Sequence, residues 1–364
     1  MHRDAGIDAV RTLAIVAIVT GHVWASETIT LGLYSWHVPV FFFLSGYLSS
    51  TRKPARALVR DRARTLLRPY LAWFAVIYLA FVIVTLLGAA PSLAALGGPL
   101  YGGYYALRPF TTFWFVFVLF VAVVLFRLAT PAPSWTLGAL AAVAVLSATF
   151  LGPELARTPL AIGSAIPALA FVIAGFAARR LESRIPTAAA TRAMLGAVLL
   201  MAAWLLLATE TVAPVNIKQG DWGTPLTGML VACLISWGLV LVARAIEWGR
   251  LGAAFTSFAL IGFVVVLAHP AVLWMLPPGE RMPHAVVFLL ALALPAAAGY
   301  ALQRTPAAGW ATGSPQRVAL RPLATPAQRP AQRPAPAPSA TPAQRPGPAP
   351  SATPAQRPGP APSD

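Results

Sequence analysis

Residues 69–87, PYLAWFAVIYLAFVIVTLL, run without a single charged side chain. A helix of roughly 20 apolar residues crosses the hydrocarbon core of a bilayer, which is about 30 Å thick, so this stretch predicts a transmembrane helix. In its continuation to residue 107, the segments 88–93 and 96–105 are rich in Gly and Pro and predict a loop. Ten stretches free of Asp, Glu, Lys and Arg predict ten spans, namely 12–26, 28–51, 69–107, 109–126, 128–153, 158–178, 193–209, 222–243, 251–279 and 282–303.

The composition of the whole chain agrees with this pattern. The 364 residues are 58% hydrophobic and 10% charged, with a mean hydropathy of +0.70. A soluble domain usually has about 25% charged residues, so this chain has too few to cover a soluble core. The sequence therefore predicts an all-α, polytopic membrane bundle of about ten transmembrane helices, with the lipid bilayer as its first partner.

Basic residues concentrate in alternate connectors, and the connector 52–68 alone holds seven of them. Because basic loops stay on the cytoplasmic side, the N-terminus and the C-terminus are both predicted to be cytoplasmic. The net charge of +16 is explained by this topology and gives no reason to expect a nucleic-acid partner. The same connector is suited to anionic lipid headgroups.

The chain divides by composition into two parts. Residues 1–304 form the predicted transmembrane domain. Residues 305–364 are a Pro/Ala/Arg-rich, low-complexity segment in which PSATPAQRPGPA starts at residue 338 and again at residue 350. Such a segment predicts a disordered cytoplasmic tail. The Ala, Arg and Pro richness is typical of a high-GC bacterial genome, which suggests a multi-pass protein of the bacterial plasma membrane.

Polar side chains inside a membrane are costly and usually functional. Arg11 and His22 lie eleven positions apart, about three helical turns, so they share one helix face with a rise of about 16 Å between them. His37 opens the next apolar stretch near the same end as His22, and Pro39 suits the first turn of that helix. Further along the same stretch, Gly46 allows close helix packing in lipid. The sequence therefore predicts a cluster of one arginine and two facing imidazoles. For a lone histidine near a helix end, an interfacial anchor is the alternative.

These segments resemble the acyltransferase type 3 family of integral membrane O-acyltransferases. The similar pieces are residues 7–22 with the Arg11 and His22 pair, 37–47, the basic segment 60–71, 113–116 and the pair at 269–270. The chain departs from the family in two places. Arg68 directly precedes Pro69 in the basic segment, and Thr112 stands where relatives often have His.

The resemblance implies transfer of an acyl group, usually acetyl, from cytoplasmic acyl-CoA to a hydroxyl of a glycan, a lipid-linked sugar or a secondary metabolite outside the cytoplasm. The thioester is already activated, so the enzyme needs mainly a base. Imidazole, with an ordinary pKa near 6.5, suits that task, and we assign it to His22. His37 would orient His22 or bind the acceptor, and Arg11 would bind phosphate or position the thioester carbonyl.

The remaining site residues follow from the same resemblance. Arg64 and Arg68 are expected to bind the phosphates of coenzyme A, although basic-loop topology explains them equally well. Trp114 and His269 are expected to contact the acceptor. Glu27 is expected to polarise His22 or bind sugar hydroxyls, with an exposed interfacial carboxylate as the alternative. No metal is expected.

A transporter or flippase for a sugar or lipid is the second hypothesis, because ten spans with polar residues in the membrane also occur there. Many transporters contain internal repeats. No correspondence is evident between residues 1–150 and 151–304, and the ionisable residues concentrate in the first third of the chain. That distribution favours a local catalytic site. Covalent change of the substrate separates the two hypotheses.

Overall fold

The computed structural model describes residues 3–24, 26–50, 54–88, 93–224, 226–280 and 282–314. These residues form helices and two isolated β-bridges, with no β-strand among them. Within this described part, nine helical segments are long and apolar enough to cross a membrane, and a shorter apolar helix makes a tenth. In chain order they are α1 Ala5–Val23, α2 Glu27–Tyr47, α3 Ala55–Leu87, α4 Trp114–Ala129, α5 Ser134–Ala156, α6 Pro159–Glu182, α7 Ala189–Ala208, α8 Thr227–Ala245, α9 Gly249–Met275 and α10 His284–Leu302. The predicted all-α membrane bundle is confirmed, whereas the cytoplasmic placement of its termini stays a prediction.

The second span is an interrupted helix. It passes through a π-helical segment at Thr30–Tyr34 and a turn before the regular helix Pro39–Tyr47 begins. Pro39 occupies the first turn of that helix, as predicted, where its missing N–H costs little. His37 lies in the turn, and its backbone N donates to the Leu33 carbonyl at 2.9 Å. The interruption thus places an imidazole inside the span instead of at its end.

A close glycine crossing fixes α2 against α6. A Cβ atom at Gly46 would overlap the Val172 carbonyl, and one at Gly175 would overlap the Phe43 carbonyl. Small residues at such a crossing let two helices in lipid approach backbone to backbone. The close packing predicted for Gly46 is therefore observed, and its partner surface is on α6.

α1 packs against α9 and also contacts α8 and α10, so the helix that carries Arg11 and His22 lies within the bundle. A buried ion cluster holds the end of the bundle where α1 begins. Glu182 accepts hydrogen bonds from the Tyr47 hydroxyl and from the Arg244 guanidinium. Arg192 Nε lies 3.7 Å from Glu182 Oε1, and Arg244 Nε donates to Asp4 at 2.8 Å. Some of the basic residues at this end are thus matched by carboxylates.

Two segments differ from the sequence-based expectation. Leu93–Tyr101 forms a nine-residue helix where a loop was predicted. At 1.5 Å per residue it is about 14 Å long, too short to add a further span. The packed domain also continues past residue 304. The helix Ala308–Ala311 is held by Trp73 Nε1, which donates to the Ala311 carbonyl at 2.9 Å, and residues up to 314 are described. The rest of the predicted tail, 315–364, lies outside the described residues.

Candidate active site

A cavity of about 190 Å³ lies at the end of α1 where His22 is found. His22 and His37 both line it, so the two imidazoles predicted to face each other do share one space. Trp114, the first residue of α4, forms part of its wall. The other polar lining residues are Tyr34, Thr111, Thr112, Asn216, Lys218 and Gln219. We call this space the histidine cavity.

Three histidines are held in the same way. The Nδ1 atom of His22 lies 2.8 Å from the Ile18 carbonyl oxygen. The Nδ1 atom of His37 lies 2.6 Å from the Leu33 carbonyl oxygen, and that of His269 lies 2.9 Å from the Val265 carbonyl oxygen. Each carbonyl is four residues earlier in the chain. Because a carbonyl oxygen can only accept, Nδ1 must carry the hydrogen, and Nε2 keeps the lone pair. The backbone therefore fixes each neutral ring in the tautomer in which Nε2 is a base.

His269 stands behind His22 instead of lining the cavity. It is fully buried, and its ring makes a T-shaped contact with His22 at 5.0 Å between centroids. Its Nε2 has no hydrogen-bond partner among the described residues. The sequence hypothesis gave His269 an acceptor-binding role, whereas the geometry gives it a contact with the proposed base.

A side-chain hydrogen bond repairs the break that Pro270 makes in α9. Proline has no N–H, so the Val266 carbonyl four residues earlier loses its helical partner. Thr112 Oγ1 donates to that carbonyl at 2.8 Å. The bond joins the start of α4 to the turn of α9 that carries His269. The hydroxyl of Thr112 therefore has a structural task that sequence reasoning missed.

A second cavity of about 170 Å³ lies towards the beginning of α1. Arg11 and Arg62 both line it, together with Ser45. Arg11 Nη1 donates to Asp8 Oδ1 at 2.9 Å, and Asp8 is almost completely buried. Asp8 also pairs with Arg3. The carboxylate fixes one side of the Arg11 guanidinium. We call this space the arginine cavity.

The two cavities adjoin, and Phe115 and Val266 line both of them. Along α1 the sequence Arg11, Ile15, Ile18, His22 passes from one cavity to the other with helical spacing, so the predicted shared face is observed. Each cavity is smaller than the roughly 300 to 1,000 Å³ that encloses a whole small ligand. Each would therefore receive one group of a larger substrate.

Three predicted site residues lie elsewhere. Arg64 is exposed within the π-helical segment Ala63–Leu67, and Arg68 stacks over the ring of Trp310 at 4.9 Å. Neither lines the arginine cavity. Glu27 is exposed at the start of α2 and does not line the histidine cavity, which favours the interfacial carboxylate.

Two cations beside the histidine cavity were not predicted. Arg108 Nη2 donates to the His22 carbonyl at 2.9 Å. Lys218 Nζ donates to the Tyr104 carbonyl at 3.2 Å, and burial lowers the pKa of Lys218 to about 8. The available signal for Lys218 was its rarity, because the chain has only two lysines and this one lies between apolar stretches.

The fold and site together define a multi-pass membrane protein with a histidine-centred cavity inside its helical bundle. A family model described as an acyltransferase domain, the type 3 model, matches residues 4–304. The chain therefore belongs to the acyltransferase type 3 family, as its sequence motifs indicated.

A similar protein is the nodulation protein NolL of Mesorhizobium japonicum. The two are 28% identical over 176 residues, which cover 44% of this chain and 44% of NolL. The matched part is thus less than half of that relative's length. No solved structure matches this chain.

Proposed function

We propose that the protein transfers an acyl group, acetyl in the first instance, from cytoplasmic acyl-CoA to a hydroxyl of an extracytoplasmic glycan, lipid-linked sugar or secondary metabolite in the bacterial plasma membrane. The observation that carries this proposal is the pair of adjoining cavities. One presents two histidines whose Nδ1 atoms are held by backbone carbonyls, so that Nε2 is the basic nitrogen of each neutral ring, and the other presents Arg11 and Arg62. A base on one side of a thin apolar wall and phosphate-binding groups on the other suit a reaction whose two substrates arrive from opposite sides.

His22 acts as the base in this mechanism. Its neutral Nε2 takes the proton of the acceptor hydroxyl as that oxygen attacks the thioester carbonyl carbon. The tetrahedral intermediate then breaks its carbon–sulfur bond, and the thiolate of coenzyme A leaves and takes the proton from the His22 imidazolium. The Ile18 carbonyl holds the ring throughout and is well placed to stabilise the N–H of the imidazolium. His37 and Trp114, on the wall of the same cavity, orient the acceptor.

Arg11 and Arg62 receive the donor. Guanidinium groups bind phosphate oxygens through paired hydrogen bonds, and Asp8 pre-orients Arg11. Phe115 and Val266 separate these arginines from the histidines, so the thioester end must reach this wall for transfer to occur. Arg64 and Arg68 lie outside the arginine cavity on the same helix, and we assign them to the nucleotide end of the donor.

The test is transfer from radiolabelled acetyl-CoA by the purified protein in liposomes, with an extract of host glycans and lipids as acceptors. We expect label to appear in the extract with wild type and to disappear with His22→Ala. His284→Ala is the matched control, because His284 lies at the start of α10 and does not line the cavity.

The outcomes separate the hypotheses. Equal transfer by His22→Ala and wild type would remove His22 from the role of base. Movement of a sugar or lipid across the liposome membrane, without release of coenzyme A by either protein, would favour a transporter.

A further inference from the structure

We propose that the acceptor carries a negatively charged group close to its reacting hydroxyl, and that Lys218 binds this group in the histidine cavity. The inference rests on the proposed function and narrows it to one chemical class of acceptor. It covers a carboxylate, as in an acidic sugar, and a phosphate, as in a lipid-linked or phosphorylated sugar.

Lys218 is built into the wall of the cavity. It lies in the short 3₁₀ turn Ile217–Gln219, which a backbone bridge between Asn216 and Asp221 closes. Its ammonium donates to one backbone carbonyl, that of Tyr104, at 3.2 Å. Asn216 and Gln219 line the cavity on either side of it and offer amide groups for hydroxyls.

Among the residues that the structure describes, no carboxylate balances the charge of Lys218. Within the described residues no acidic side chain forms an ion pair with Lys218, and the cavity lining contains no Asp or Glu. Asp221, the carboxylate in the same loop, accepts instead from the backbone N of Gly223 at 2.9 Å. A buried or half-buried cation is usually paired, so this cavity favours an anion and disfavours a second cation.

The surroundings of the cavity add positive charge. Arg108 lies beside it and, like Lys218, is within electrostatic reach of His22. Arg157 stacks over the ring of Tyr104, the residue whose carbonyl holds Lys218, but its Nη1 also lies 4.0 Å from Glu154 Oε1, which balances part of its charge. The titratable groups around the ammonium are His22 on α1, Tyr34 and His37 on α2, Tyr104 and Arg108 before α4, Arg157 after α5, and Asp221.

Burial lowers the pKa of Lys218 to about 8. Because the charged form binds the anion, a bound anion must raise that pKa, and anion binding must weaken as the pH rises through about 8. The chain allows a direct measurement because it has only two lysines, Lys53 and Lys218. Reductive methylation with ¹³C-formaldehyde gives each lysine an NMR signal, and Lys218→Arg assigns them by removing one.

We would titrate the Lys218 signal at constant ionic strength with inorganic phosphate, glucuronate or methyl glucoside. Phosphate and glucuronate are expected to raise its titration midpoint by about 1 pH unit, and the neutral methyl glucoside to leave it unchanged. Lys53 provides the control in the same molecule. No rise with either anion, or an equal rise at both lysines, would overturn the inference. This measurement does not depend on acyl transfer.

The labelled product of the transfer assay gives a second test. It is expected to bind to an anion exchanger. Lys218→Met should lower kcat/KM for this acceptor by about tenfold or more, and Lys218→Arg should retain most of it. A neutral labelled product, or full activity of Lys218→Met, would overturn the anionic acceptor and leave the proposed acyl transfer intact.

Discussion

The histidine cavity and the arginine cavity share a wall but differ in how well the sequence predicted them. His22, His37 and Trp114 were all predicted from motifs, and all three line the histidine cavity. In the arginine cavity only Arg11 was predicted, and its partner is Arg62 instead of Arg64 or Arg68. The difference comes from local helix geometry. α1 is regular, so an interval of eleven residues gives one face, whereas α3 contains a π-helical segment immediately after Arg62.

A π turn includes one more residue than an α turn, so it rotates the residues that follow by about 100° relative to a regular helix. This turn follows Arg62, which lines the arginine cavity, whereas Arg64 and Arg68 do not line it. Within one basic segment, charge and composition identify the end of the bundle, but only the backbone determines which arginine turns inward.

The largest effect is expected when the histidine cavity alone is broken. His22→Ala removes the proposed base and leaves Arg11 and Arg62 in place. We expect kcat to fall by about 10²- to 10⁴-fold, with the KM for acetyl-CoA nearly unchanged. Steady-state kinetics with the identified acceptor would measure both parameters. A raised KM for acetyl-CoA with normal kcat would contradict the division of labour between the cavities.

The second-largest effect is expected when the arginine cavity alone is altered. Arg62→Met removes a guanidinium that lines it, and a charge-assisted hydrogen bond of about 1.5–3 kcal/mol corresponds to roughly a 10- to 100-fold rise in the KM for acetyl-CoA. Arg60→Met is the matched control, because it removes the same charge two residues away from an exposed position. Equal effects of the two variants would mean that only the net charge of the connector matters.

Much of the fold was predictable because it depends on local composition. Among the described residues, nine of the ten charge-free stretches correspond to helices long enough to span and the tenth to the shorter helix α4, and Gly46 indicated a close crossing. The partner of that crossing, Gly175, could not be found, because the pairing of distant helices is not encoded in spacing. The same holds for the site. The bond from Thr112 to the Val266 carbonyl joins residues 154 positions apart, and only Pro270 signals that a carbonyl there lacks its helical partner.

A smaller effect tests whether His269 positions His22 or binds the acceptor. His269→Phe keeps an aromatic ring against His22 and removes both ring nitrogens. If His269 acts by positioning His22, kcat should fall by about tenfold while the KM for the acceptor stays constant. The sequence-based role in acceptor binding predicts the opposite, a raised KM at normal kcat. Initial rates over a range of acceptor concentrations distinguish the two.

The smallest effect concerns the wall that both cavities share. Thr112→Val keeps the shape of the side chain and removes its hydrogen bond to the Val266 carbonyl. Val266 is one of the residues that line both cavities. Hydrogen bonds between membrane helices contribute about 0.6 kcal/mol on average and at most about 1.7 kcal/mol. We therefore expect unfolding in mixed micelles to become easier by about 1 kcal/mol, and Thr112→Ser to restore it.

Thr111→Val is the control for this measurement, because Thr111 Oγ1 is buried without a hydrogen-bond partner among the described residues. Its loss should leave the free energy of unfolding nearly unchanged. If Thr111→Val were as destabilising as Thr112→Val, the hydroxyl of Thr112 would have no special role at the break in α9. If only Thr112→Val is destabilising, the hydroxyl of Thr112 stabilises the turn of α9 that contains Val266.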